Sequence, residues 1–215
     1  MWRRFRQIWP FLLLAGSAVA APRQHTVAFG GWKAAQIVPE LGLARAARIR
    51  PLLIDGKVKE FVIGMPHVVS DRLFVVQRTN HLNDALPDEL SQTPKWIWRI
   101  GEWISVDRLT GHVAVLNLPV FDPENPQVSW YRDYVAYCGH SDDGAKTYMV
   151  VWQIGQRKPI LKRESSGTCA APNWQRSPSR VTFNSAEQKL SFVVHGRAAS
   201  DLDTSDDEQR EGPQQ

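Results

Sequence analysis

The chain predicts an all-β domain laid out as an antiparallel meander, and three observations carry that expectation. Runs of β-branched and aromatic residues recur at short, regular intervals. Turn-forming residues separate them, among them Asp55-Gly56, Gly101-Glu102 and the stretch 140–144. A 3.6-residue apolar repeat is nearly absent, so a helix would have no face to bury. The densest piece is residues 130–152, read as two strands and one tight turn, and the rest of the chain is expected to organise around it.

Taken in order, residues 25–38 mix Val27, Phe29, Trp32, Ile37 and Val38 with the pair Gly30-Gly31, which reads as a strand broken by a bulge. Residues 41–47 are alanine-rich and are predicted as a helical turn, against nearby Pro39 and Gly42. Asp55-Gly56 readily takes the positive φ angles of a type I′ turn, so residues 49–63 form a hairpin. In the strand 67–78 the run Leu73-Phe74-Val75-Val76 is too continuous for one exposed face, which makes it central. Residues 80–94, with Asn83, Asp84, Pro87, Asp88 and Pro94, read as a long loop. Strands 95–100 and 103–106 should pair across Gly101-Glu102, and 112–118 completes a meander. Residues 121–126 form a proline-bounded loop, and Pro159-Ile160-Leu161 add one more strand. Residues 165–179, rich in Ser, Gly and Pro, read as a loop held at Cys169, before a last pair of strands at 181–183 and 190–194.

The two ends have other compositions. Arg3, Arg4 and Arg6, an apolar run from Ile8 to Ala15, and Ala18-Val19-Ala20 make residues 1–20 an expected export signal. That run is too short to span a bilayer, so no stable membrane insertion is expected after cleavage. Residues 21–199 are expected to form a single all-β domain, and the acidic stretch 200–215 a disordered tail. The whole chain carries +4, which falls to +1 without the three leader arginines. The basic residues are scattered rather than clustered, which argues against a nucleic-acid partner. In an exported chain, periplasmic or extracellular, the two cysteines are expected to form a disulfide, Cys138 to Cys169.

Two turns carry a resemblance. Asp107-Arg108-Leu109-Thr110-Gly111-His112-Val113 resembles the Asp-x-x-Thr-Gly-x-Val turn of β-propeller repeats, and Ser141-Asp142-Asp143-Gly144-Ala145-Lys146 is similar to the turn of TolB-like blades. They lie within a span of about 40 residues in the middle of the chain, without the Trp-Asp dipeptide of WD40 repeats. The strand count falls short of the four blades that a closed ring needs. The resemblance therefore implies a propeller-like set of partial blades, with a two-sheet sandwich as the alternative, and it implies scaffolding and binding roles.

Of the tryptophans beyond the leader, Trp96 and Trp98 stand two apart on one strand and so share a face, with Trp103 expected across the hairpin and Trp130 nearby in sequence. Together the four make a candidate platform for a sugar ring or peptide, with a bulky core as the competing role. His140 with Asp142 and Asp143, and His67 with Asp71, have metal-binding side chains. The first set suits a tight turn, and the second spans ~13 Å of strand, so no metal and no cofactor is expected. The linear signatures of common hydrolases and nucleotide-binding loops are absent. Asp133, among Trp130, Tyr131, Tyr134 and Tyr137, is the one carboxylate to nominate for catalysis, as in a paired-carboxylate hydrolase. The expectation is an exported binding or scaffold protein for an envelope protein or glycan; an envelope hydrolase, or a structural subunit pairing through edge strands, are the alternatives.

Overall fold

The computed structural model describes residues 25–86, 93–124, 127–141, 143–165, 167, 169–185 and 189–194. The expected leader and acidic tail lie outside the described residues. The architecture is all-β: three sheets, almost wholly antiparallel, with no helix among the described residues.

The first sheet holds β1 (Val27–Phe29), β2 (Lys33–Ile37), β3 (Arg45–Ile54), β4 (Lys57–Val68), β5 (Leu73–Asn83), β6 (Trp96–Asp107) and β7 (Val113–Val115). Its order is β1-β3-β2-β6-β5-β4, with β3 also pairing β4 and with β7 added on β6. The sheet curls until β2 meets β6, where a single parallel pair, Ile37 with Trp98, joins them without closing a barrel. β1 and β2 are one strand in effect. Both pair with β3, Phe29 opposite Leu52 and Lys33 opposite Ile49, so the extra residue between them is the bulge that Gly30-Gly31 announces. Asp55 and Gly56 take φ values of 50° and 76°, as the hairpin turn demands.

The second sheet is a sequential meander of β8 (Val128–Tyr131), β9 (Tyr134–His140), β10 (Thr147–Gln153) and β11 (Leu161–Ser165). The third holds β12 (Asn173–Arg176), β13 (Ser179–Asn184) and β14 (Lys189–Val193). β9 and β10 form the middle layer. Val135, Tyr137, Val150 and Trp152 pack on Val75, Leu116 and Leu118 on one side. Ala136, Cys138, Met149 and Val151 pack on Cys169, Val181, Phe183 and Phe192 on the other. Alternation along a strand puts successive residues on opposite faces, and here both faces are covered, which is why the sequence runs apolar without a break. β5 is central for the same reason: Phe74 and Val76 join one core while Val75 joins another.

Several local expectations are corrected. Residues 41–47 make no helical turn: Gly42 sits at φ 119°, outside helical conformation, and Arg45–Ala47 already pair with β2. Residues 67–78 are not one strand, because β4 ends at Val68 and a turn precedes Leu73. Gly101-Glu102 is no hairpin turn but a bulge inside the continuous strand β6. A Cβ at position 101 would lie 2.8 and 2.9 Å from the Asn80 and Arg78 side chains, so a larger residue at this crossing would have to displace them. β5 extends to Asn83, which shortens the expected loop 80–94; residues 87–92 lie outside the description. The strand expected at 112–118 is only Val113–Val115, and the one expected at 159–161 begins at Leu161. The stretch 165–179 contains β12, and the first arm of 130–152 is divided by a turn at Arg132-Asp133, where Arg132 has φ 53°.

Candidate functional site

The long strand β6 positions Trp96 and Trp98 on one face, and β5 places His81 directly opposite Trp98. The His81 imidazole stacks on both indoles, with ring centroids 4.9 Å from Trp96 and 4.3 Å from Trp98 and interplanar angles of 28° and 20°. On its other flank Trp98 meets Phe61 edge-on at 5.0 Å and packs against the buried trio Ile37, Ile49 and Ile100. The four rings therefore form a column that starts with half-buried Phe61 and Trp98 against that trio and ends in two exposed rings, His81 and Trp96, the latter 58% exposed. Each aromatic contact of this kind is worth about 0.5–1.5 kcal/mol beyond the area it buries, and the outermost ring, Trp96, makes its stack with His81.

The other two tryptophans sit elsewhere. The bulge at Gly101-Glu102 turns Trp103 to the same sheet face as Trp98, but further along β6, where the second sheet covers it. Trp103 lies 5.1 Å from Trp130, and Trp130 stacks on His67 at 5.6 Å. Both indole N–H groups of that pair are buried without an acceptor. Trp96 and Trp98 thus belong to one group, and Trp103 and Trp130 to another that packs between the sheets.

Asp133 lies in the turn between β8 and β9, where its Oδ2 accepts a 2.7 Å bond from the Gln153 amide; neither Arg132 nor Lys146 pairs with it. Lys146 instead meets Glu164 at 3.0 Å. His67 is bound through Nε2 to the Arg132 carbonyl at 2.7 Å, and Asp71 lies beyond the end of its strand. At the other proposed cluster Asp143 accepts from the Ser141 hydroxyl and the Ala145 amide, which hold its carboxyl below the usual carboxylate range. Asp142 lies outside the described residues. Among the described residues no three His, Cys, Asp or Glu side chains converge as metal ligands do.

The turn 107–111 joins β6 to β7. Asp107 accepts bonds from the Leu109 and Thr110 amides, while Arg72 bonds its second oxygen at 2.7 Å. The Arg72 bond, followed by those two amides, pulls the Asp107 carboxyl far below its ordinary value. The folded value is depressed, so this group adds stability above the ordinary Asp range of about 4 and loses it as pH falls through the lower folded value. Asp107→Asn is expected to leave a shallower acid limb in a plot of unfolding free energy against pH. An unchanged limb would show that the pair is fully screened by solvent.

Two concavities adjoin at His140. The larger, about 620 Å³, lies between Leu41, Val120, Glu124 and Ser141. The smaller, about 320 Å³, lies on the disulfide side. Val120 has φ 52°, an uncommon state for a β-branched residue that stores roughly 1–3 kcal/mol. Its carbonyl accepts from the His140 amide at 2.9 Å, and the preceding Pro119 carbonyl accepts from the buried Tyr137 hydroxyl at 2.7 Å. Burial also raises the Tyr137 phenol far above its ordinary range, so it stays a donor. Sequence reasoning missed His81 because it fell in the stretch read as a loop. It missed Val120 because no linear pattern marks it.

No protein-family model, no curated protein and no solved structure matches the chain. Its own geometry is therefore the ground for a functional reading.

Proposed function

We propose that the protein is an exported binding protein of the cell envelope that engages a protein or glycan partner through the exposed end of its aromatic column. The carrying observation is Trp96: a large aromatic side chain more than half exposed, stacked on His81, which in turn stacks on Trp98. A rigid ring loses little conformational freedom on binding, and an aromatic face suits a sugar ring or an apolar side chain equally. The disulfide between Cys138 and Cys169 fits the oxidising compartment that export implies. No helix among the described residues is long and apolar enough to cross a membrane.

The test is a titration of the oxidised protein with solubilised envelope glycans and, separately, with purified envelope proteins, following tryptophan emission. Saturable binding that falls on the order of tenfold in Trp96→Ala supports the reading, since a hot-spot aromatic is worth upwards of about 1 kcal/mol. Binding that survives the substitution undiminished sinks it.

A further inference from the structure

The bulge at Gly30-Gly31 changes which side chains share a face. Phe29 stands opposite Leu52 and Lys33 opposite Ile49, so residues 30–32 span the space that Arg50 and Pro51 occupy on β3. In an unbroken strand residues three apart point to opposite faces, and the extra residue brings Phe29 and Trp32 to the same one. Both rings then meet Arg50, whose guanidinium carbon lies 4.0 Å from the Phe29 centroid and 4.3 Å from that of Trp32. Arg48, two residues away and therefore on the same face, comes over the same indole at 5.7 Å.

Among the described residues no carboxylate answers these two charges. Arg72, Arg78 and Arg99 each pair with an acid; Arg78 stands beyond Val62 on the sheet face of Arg50, and Glu102 neutralises it. Glu60, opposite Leu52 on the neighbouring strand, pairs with neither Arg48 nor Arg50. Two like charges gathered at one ring repel each other, and burial between the rings costs Arg50 part of its hydration, which lowers its pKa from the ordinary value. An anion bound by both groups relieves both costs. The Arg50 Nε is itself buried, so that anion can reach the guanidinium only through its two terminal nitrogens.

Guanidinium groups bind oxyanions through paired N–H donors. A phosphate monoester, with a charge of roughly −1.5 to −2 near neutral pH, matches a pair of arginines better than a singly charged carboxylate does. We propose that Arg48 and Arg50, gathered at Trp32, bind a phosphate monoester carried by a sugar or by a lipid head group. The site is separate from the aromatic column. Trp98 pairs with Ile37, and Ile37 with Arg45, so the column lies on the sheet face opposite Arg48.

The experiment is a two-dimensional NMR titration of the oxidised protein with inorganic phosphate, glucose 6-phosphate and, as the carboxylate comparison, acetate, all at one ionic strength. Co-sedimentation with phosphatidylcholine vesicles, with and without phosphatidic acid, is its lipid arm. Saturable phosphate-dependent shifts are expected at the Trp32 indole N–H and the Arg50 Nε–H. Arg48→Gln should weaken binding at least about tenfold, the equivalent of one charge-assisted hydrogen bond. Because Arg48 is exposed and its removal separates like charges, the variant should melt no lower than the wild type in phosphate-free buffer. Trp96→Ala should leave the shifts unchanged. Glucose 6-phosphate binding more tightly than inorganic phosphate supports a sugar carrier, and sedimentation that requires phosphatidic acid supports a lipid one. The proposal is overturned if neither carrier binds, if acetate binds as tightly as phosphate, or if Arg48→Gln leaves the affinity unchanged. A lower melting temperature of Arg48→Gln without phosphate, with no phosphate bound by the wild type, would overturn it in favour of a purely bracing role for the two arginines.

Discussion

Removing the Cys138–Cys169 bridge is expected to destabilise the protein by about 3–4 kcal/mol, a large share of the stability of a domain of this size. The bridge closes a loop of sequence separation 31, and its Cα atoms stand 5.9 Å apart, an ordinary span for a disulfide. Both cysteines are buried, at 5% and 8% exposure, in the core between the middle layer and the third sheet. Without the bond, the third sheet is held by Val181, Phe183 and Phe192, by the Trp174 indole donating to the Ser129 carbonyl at 3.0 Å, and by the stack of Tyr131 on Trp174. These contacts form only once the chain has folded, whereas the bond also restricts the unfolded chain. Urea unfolding of the wild type against a variant carrying Cys138→Ser and Cys169→Ser measures the difference. A difference under about 1 kcal/mol would mean that the third sheet docks independently of the bond.

Gly139→Ala is the second substitution with a large expected effect. A Cβ on Gly139 would lie 2.3 Å from the Val120 carbonyl oxygen and 2.8 Å from a Val120 methyl. The obstacle is backbone, and that backbone is already constrained by its positive φ and by the bond from the His140 amide to the same oxygen. Relief requires β9 and the segment around Val120 to part. A loss of at least ~2 kcal/mol is expected, in the upper part of the range for overpacked cores. The two concavities beside His140 should widen with it. Gly31→Ala, where nothing lies within 4 Å of the added carbon, serves as the comparison and should stay within about 0.5 kcal/mol. Equal midpoints for the two variants would show that the Val120 segment yields freely.

What the sequence showed and what it concealed follow one physical line. Properties carried by neighbours along the chain were legible: the unbroken apolar runs of β5 and β9, the Asp55-Gly56 turn and the Gly30-Gly31 bulge. Gly101-Glu102 was misread because a glycine beside a polar residue marks a turn or a bulge equally well. The choice is made by Arg78 and Asn80 across the ladder, whose side chains occupy the space above Gly101. β12 offered only Trp174 among Asn173, Gln175 and Arg176; its strand exists through pairing with β13. The candidate site was half legible. Trp96 and Trp98 could be placed on one face from their spacing, but the separation of Trp103 and Trp130 from them depends on the bulge and on the stacking of the second sheet. His81 gained its role only when β5 extended into the supposed loop.

The central claim is that the aromatic column is anchored on the core at Trp98 and is contact surface at Trp96, and the most direct measurement pairs unfolding free energy with partner affinity on single variants. Trp96→Ala is expected to lose no more than about 1 kcal/mol of stability, the worth of one stacking contact, while partner binding collapses. Trp98→Ala, which opens the core of Ile37, Ile49 and Ile100, is expected to lose ~3 kcal/mol. The contradictory result is a Trp96→Ala protein that binds its partner as tightly as the wild type, or one as destabilised as Trp98→Ala, because either would place Trp96 in the scaffold and leave the contact surface elsewhere.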